Sequence, residues 1–581
     1  MNALFSLDSM KLCDGKPSLK ITLDKTYLPK KLNNLKSKGH FYPKNVSEKL
    51  FHSEDDSIYF LNDANSLRFI LSKNIILPSY KKGNRCKVSI KSSTKTVRNL
   101  KLQVTRFDKN ENFIGIDSIY IENENENETW KGNELSFVLS NEKALEISIF
   151  YAGSGDSTQQ IRLSSPVLWI NNKDVGNLDT HSNQYLGHIN TSLNPEYITP
   201  LSENDNRDIL SNIDGIDDKL IIGLGECVHG STNILRAEYQ FAKNAIVDHN
   251  CKLVLWEYPI DMSLALELYV LGLVEESYGE EIKKDLRGTF GDYIASFEFI
   301  RWLRDYNSRT TEKVHFLGMD NPIAPKILLN DFISQLLNKE RIHPYFKLID
   351  SGDLDELADV LVLNDTIMKK TDNTTLKLFQ KIIKTNLYSD HSPADIDRRD
   401  YEMYLRTCAI IDVLSDKNQK TVIIAHSVHL DRMQSAINRL FYNSVYKLGN
   451  YLATQYQNKY CTISFQVGKG LYVQDECSKL GSNRIEKLPE AITGSFEKSA
   501  LNTNSDYFLY PSCKLNEHIV SKRYATRGER GNDQFQFVSI KKHFDAYVFI
   551  RENIPSQNIE QFPFFYMGKR LHDREKRYYF F

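Results

Sequence analysis

The run Glu226-Cys227-Val228-His229-Gly230-Ser231 sets a carboxylate and an imidazole three residues apart. Such a pair moves protons: a carboxylate on one ring nitrogen fixes the tautomer and makes the other nitrogen more basic. Three more polar groups stand at the ends of apolar runs. Leu253-Val254-Leu255-Trp256 ends in Glu257, and Val314-His315-Phe316-Leu317-Gly318-Met319 ends in Asp320. Thr421-Val422-Ile423-Ile424-Ala425 ends in His426, with His429 three residues on. There is no Gly-x-Ser-x-Gly and no His-Glu-x-x-His, which removes a nucleophile elbow and the helical zinc-protease arrangement. His plus carboxylates suits direct attack by water on an ester. His229 takes the proton, Glu226 or Glu257 steadies it, and His426 and His429 polarise the carbonyl or protonate the leaving alcohol. Backbone N–H groups at a helix start near Ser231 offer further anion stabilisation.

Strands must deliver these residues. Lys219-Leu220-Ile221-Ile222-Gly223-Leu224-Gly225 reads as a buried strand entering a tight turn. Ser231 to Asp248 then reads as a helix with Ser231 as N-cap, its apolar face built from Ile234, Tyr239, Phe241, Ala242 and Val247. Four such strands separated by helical stretches predict an α/β domain with a mostly parallel central sheet and many surrounding helices. In a parallel sheet Glu226, His229, Glu257, Asp320, His426 and His429 meet at the carboxyl edge, where such sheets bind ligands. Between Asp320 and Thr421 the pattern is largely helical, as at Lys326–Leu337 and Arg398–Leu414, and predicts an insertion that caps the site.

In order along the chain, these segments resemble one family. Gly225-Glu226-x-x-His229-Gly230-Ser231 resembles the opening motif of the erythromycin esterase-like family, and Glu257 falls where that family places its second glutamate. Trp302-Leu303-Arg304-Asp305-Tyr306-Asn307, Phe316-Leu317-Gly318-Met319-Asp320, Arg399-Asp400-x-x-Met403 and Ala425-His426-Ser427-Val428-His429 are similar to its later motifs. The resemblance implies that fold, a histidine general base at His229, and Glu226, Glu257, His426 and His429 as its active-site companions. It also implies an esterase-type hydrolase whose namesake substrate is a macrolide lactone, hence bacterial antibiotic resistance. Nine residues past the turn histidine, where the family often has Arg or Lys, stands Glu238; Ser427 replaces its usual Asn. Arg236, two residues before Glu238, joins Ser231 and Asp320 as a candidate for substrate binding.

No cofactor is expected, although one divalent metal on His229, Glu257 and His426 stays open. A di-iron bundle needs two Glu-x-x-His pairs on helices. Here Glu312–His315 runs into a strand and Glu340–His343 stops at Pro344. Cys227 reads as a packed side chain rather than a nucleophile.

The chain's 581 residues exceed one ordinary domain, and its net charge of −1 makes no case for nucleic acid or an anionic membrane. With no secretory signal, no membrane span and eight scattered cysteines, a cytoplasmic protein is expected. We expect an irregular segment at 1–50, an all-β jelly-roll-like sandwich at 51–172, a linker at 173–205, the catalytic domain at 206–555 and a tail at 556–581. The Glu/Asn run from Glu122 to Glu128 reads as an exposed loop. The sandwich is expected to contact carbohydrate or protein. Two alternatives to a small-molecule ester hydrolase stay open. One is a metal-handling, haem-handling or natural-product- or glycan-tailoring member of the same fold group. The other is a non-catalytic binding protein in which the sandwich does the work.

Overall fold

The structure is a computed structural model that describes residues 2–13, 16–24, 42–44, 50–52, 58–61, 69–77, 82–95, 100–121, 130–151, 160–163, 167–177, 191–203, 207–286, 293–321, 396–415, 418–433, 446–475, 483–524 and 534–557. The Glu122–Glu128 loop, the Lys326–Leu337 helix and nearly all of the tail expected at 556–581 lie outside these residues.

Among the described residues up to 177, strands form two antiparallel sheets of nine and five strands. The opening segment, expected to be irregular, contributes the paired strands Asn2–Cys13 and Lys16–Asp24. Phe5 and Leu7 alternate there with Ser6 and Asp8, a two-residue period. The expected linker also holds strand Lys173–Asn177, which pairs with Val167–Ile170.

The α/β part is built on a mixed sheet. Its strands are β1 (Ile221–Glu226), β2 (Cys251–Pro259), β3 (His315–Asp320), β4 (Lys420–His426), β5 (Tyr460–Asp475), β6 (Tyr507–Pro511) and β7 (Ala546–Asn553). Their spatial order is β6-β7-β5-β1-β4-β2-β3, with Thr199–Pro200 beside β6 and Asn483–Lys487 beside β5. The pairings from β7 through β3 are parallel; those of β6, Thr199–Pro200 and Asn483–Lys487 are antiparallel.

Helices cover both faces of the sheet, which is why its central strands are continuous apolar runs. Ile222, Leu224, Val254, Trp256, Val422 and Ile424 point to one face, with residues of α1 (Thr232–Asp248) and α3 (Ile294–Arg309) in the same core. Their neighbours Ile221, Leu253, Leu255, Ile423 and Ala425 point to the other, in a core shared with Ile260 of α2 (Ile260–Val270) and with Met403 and Ile410 of α4 (Ile396–Leu414). Of the predicted apolar face of α1, Ile234, Tyr239, Phe241 and Ala242 are buried, while Val247 is exposed near the helix end. No helix among the described residues is long and apolar enough to cross a membrane.

The antiparallel region docks on the α/β part. Phe107 and Ala144 join Ala491, Ile492, Val520 and Phe535 in one apolar cluster. In the turn between strands Leu100–Phe107 and Phe113–Tyr120, Glu111 adopts a left-handed φ of 63° and is buried. Its carboxylate accepts the Ser539 N–H and lies 2.8 Å from His543 Nε2. On the other side of that ring, Nδ1 is 2.6 Å from Asp431 Oδ2, which also accepts the Tyr524 hydroxyl at 2.6 Å. Burial disfavours a charged His543, but Asp431 and Glu111 outweigh it and hold its pKa up at about 10.

Two outcomes follow. Glu111→Gln should lower stability by about 3 kcal/mol, near the lower end for breaking a buried ion pair, as read from urea unfolding at neutral pH. A His543 pKa above the unfolded value of about 6.5 adds stability that is full below that pH. It declines above that pH and is lost once the pH passes about 10. The wild-type unfolding midpoint should therefore fall between pH 7 and pH 10.5, and by less in Glu111→Gln.

Candidate active site

Strand register sets the first contacts. Parallel β1 and β4 align Glu226 beside His426, each the last residue of its strand. On the other side of β4 runs β2, which aligns Trp256 with Ile424 and carries Glu257 immediately after. Beyond β2, Asp320 ends β3 and aligns with Pro259. Four neighbouring strands thus put polar residues on one carboxyl edge. Two glycines permit the turns. A Cβ at Gly225 would come within 3.0 Å of the Ser427 backbone, and Gly230 takes φ +73° against the Val473 carbonyl.

Glu226 and His229 are joined directly. The His229 Nδ1 lies 2.5 Å from Glu226 Oε1, so Nδ1 carries a proton toward the carboxylate and Nε2 is the basic nitrogen. The His229 ring lies 4.8 Å from the His426 ring, centre to centre. His426 caps the short helix α5 (Ser427–Leu430): its Nδ1 accepts the Val428 N–H at 3.2 Å, which leaves the ring proton on Nε2. Burial, followed by neighbouring His229, pushes the His426 pKa well below the usual histidine value, so the ring is neutral at pH 7.

Glu257 ties the edge together. Its Oε2 accepts the His426 N–H at 2.8 Å. The Oε1 accepts from Arg399 Nη2 at 2.8 Å and lies 3.2 Å from His429 Nε2. Burial opposes its charge, but His429 and Arg399 outweigh burial and hold the carboxyl well below the usual range. Arg399 also grips both oxygens of Asp320, from Nε at 2.9 Å and Nη2 at 2.7 Å. On His429, Nδ1 is 2.7 Å from Asp400, which also binds Lys447 Nζ at 3.0 Å. Burial would lower the His429 pKa; Asp400 and Glu257 together raise it to about 9. His429 is therefore a cation clamped between two carboxylates, behind Glu257.

The expected residues divide. Glu226, His229, Glu257, His426, His429 and Asp320 come together. A narrow cavity of about 20 Å³ is lined by Glu226, His229, Gly230, Leu235, Glu238, Trp256, Glu257, Tyr293, Ile424 and Ala425. Asp320 meets Arg399 instead of an open space. Arg236 does not join the site. It lines a separate groove of about 860 Å³ on the outer side of α1, with Lys243, Trp302 and Tyr507. Two residues along a helix turn a side chain about 200° from its neighbour, which is why it lies apart from Glu238. Ser231 is fully buried as the N-cap of α1, its hydroxyl bonded to Asn553 and accepting the Ile234 N–H. The Thr232 N–H is taken by the Ile554 carbonyl, so the helix start near Ser231 is occupied by the protein's own groups rather than open to an anion.

Sequence reasoning overlooked Arg399 and Asp400 as site residues, although both stood in a quoted motif; their signal was an adjacent cation and anion on one helix. Among the described residues, no group of three or more His, Cys, Asp and Glu side chains is arranged to hold a metal ion.

A family model described as erythromycin esterase matches residues 364–553. That match spans about a third of the chain and takes in β4 to β7, so this stretch is similar to the erythromycin esterase family. Among solved structures, a protein from Bacillus cereus is 18% identical with a TM-score of 0.50, covering 63% of this chain and 97% of its own. A succinoglycan biosynthesis protein is 18% identical with a TM-score of 0.46, covering 63% and 96%. The erythromycin esterase EreC, as a variant in its open conformation, is 15% identical with a TM-score of 0.44, covering 59% and 93%. No curated protein matches the sequence.

Cys227 lies inside the turn after β1, yet it is fully buried, and burial pushes its thiol up to about 12. Reactivity follows the thiolate. Iodoacetamide at pH 8 should label the exposed Cys513 and leave Cys227 unmodified, as read by peptide mass mapping. Rapid labelling of Cys227 in the folded chain would contradict this geometry.

Proposed function

We propose that the chain is a hydrolase that cleaves a carboxylic ester with water activated by His229. The observation that carries this reading is the Glu226–His229 pair at 2.5 Å beside the neutral ring of His426. Glu226 holds the Nδ1 proton of His229, which keeps Nε2 as the acceptor for a proton of water and stabilises the imidazolium that forms. His426, with its proton on Nε2, is a hydrogen-bond donor to the oxygen that gains charge as water adds. A neutral donor suits that role because its pKa is depressed: it stays un-ionised and does not compete with His229 for the proton. Glu257 positions His426 through its backbone N–H and is itself steadied by Arg399 and His429. His429 acts here as an orienting cation rather than as the acid. The family's namesake supports a macrolide lactone as the first ester to try. The neutral His426 and the carboxylate partner of His229 make metal unnecessary in this scheme.

The test starts with a screen of the full chain against macrolides and p-nitrophenyl esters. On a cleaved ester, His229→Ala should lose roughly a hundredfold to ten-thousandfold in turnover, the range for general-base catalysis. Cys227→Ala should stay active. Glu257→Gln should lower turnover with the circular dichroism spectrum unchanged, since it removes charge and little volume. Chelator should have little effect. Trapping an acyl-enzyme on Cys227 or Ser231 would refute water as the direct nucleophile. Complete loss in chelator, restored by zinc, would recast His229, Glu257 and His426 as ligands.

A further inference from the structure

The acids of the site each have a basic partner, with one exception. Glu226 is on His229, Glu257 is on Arg399 and His429, Asp320 is on Arg399, and Asp400 is on His429 and Lys447. The exception is Glu238 of α1. It lines the cavity with Glu226, His229 and Glu257, is only 1% exposed, and its Oε1 has no hydrogen-bond partner. The charged groups bearing on it are the carboxylates of Glu226 and Glu257, and Tyr239 is a phenol beside it. Burial, then Glu226 and Glu257, push its pKa well above the usual carboxylate range. Without a ligand, burial and its two carboxylate neighbours favour the protonated form of Glu238.

We propose that Glu238 recognises a primary ammonium group of the substrate, received in the cavity that it shares with Glu226 and Glu257. Three properties select that chemistry. The two carboxylates create a potential that attracts a cation, gives a neutral acceptor no comparable gain and repels an anion. The cavity of about 20 Å³ admits a group of about the size of a water molecule, such as –NH₃⁺, and excludes a quaternary ammonium. The unpartnered Oε1 supplies the acceptor. On binding, the ammonium keeps its three protons, Glu238 releases its own to solvent, and one ion pair forms. The other walls, Leu235, Trp256, Tyr293 and Ile424, are largely apolar and shield that pair from water. For the ester half of the substrate this inference rests on the hydrolase reading; for the ammonium half it stands on Glu238 alone.

Binding and catalysis test it separately on the full-length chain. In saturation-transfer NMR, butylammonium should bind wild type roughly tenfold or more tighter than butanol, the order for one charge-assisted contact, and tetramethylammonium should not compete. Glu238→Gln, and independently Glu238→Met, should abolish that preference while circular dichroism shows an unchanged fold. Equal binding of butylammonium and butanol by wild type would overturn the inference. So would a Glu238→Gln chain that keeps the preference. In the catalytic arm, wild type should cleave p-nitrophenyl aminohexanoate with the higher kcat/KM than p-nitrophenyl hexanoate, and the ratio should fall toward one in Glu238→Gln. A chain that binds butylammonium through Glu238 but cleaves no ester keeps this inference and sinks the hydrolase reading. One that prefers the hexanoate does the reverse.

Discussion

The buried carboxylate of Glu257 is the constraint on which the site depends. It stands at the end of a central strand and is only 8% exposed, so its charge persists only if neighbours replace the lost water. Three do so from three separate elements: the backbone N–H of His426 at the end of β4, Arg399 of α4 and His429 of α5. Each of these bonds also fixes the element that supplies it. The carboxylate thereby locks the edge of the sheet to the helix that packs over it. His426, whose ring meets His229, is held at its backbone by the same group. Geometry at the His229–His426 pair is thus inherited from a charge balance one layer behind it.

That second layer explains why two histidines three residues apart have opposite electrostatics. Both are buried, and burial alone pushes each toward neutrality. His429 has Asp400 on one nitrogen and Glu257 on the other, and becomes a cation with a pKa of about 9. His426 offers one nitrogen to the Val428 N–H, and burial with neighbouring His229 keeps it neutral. A pair of titratable groups pushed apart by their surroundings marks a division of labour: one ring holds structure, the other is suited to proton-dependent chemistry.

The antiparallel region enters this architecture through Glu111, whose ion pair with His543 continues to Asp431 at the end of α5. The chain from docked turn to His426–His429 segment is therefore continuous in contacts. A region that reads as a separate module in composition is thus joined to the α/β part by a buried charge network as well as by apolar packing.

Much of this was legible in the residues alone. Apolar runs closed by Glu226, Glu257, Asp320 and His426 signal strands buried on both faces, because only a sheet covered by helices on either side needs such runs; Ser231 signals the helix start through its capping chemistry. The period of two in a strand and the cap at a helix are local properties, and local sequence carries them. Tertiary structure alone decided the rest. It inserted β4 between β1 and β2, and so set His426 beside Glu226 and Glu257, residues about two hundred and one hundred and seventy positions away in the chain. It turned Asp320 toward Arg399, buried Ser231 and the helix start behind β7, and left Arg236 in another groove. It also left Oε1 of Glu238 without a hydrogen bond, near the carboxylates of Glu226 and Glu257. Whether a carboxyl is charged, shared or orphaned depends on what surrounds it in space, and burial and opposite charge act through distance rather than through order along the chain.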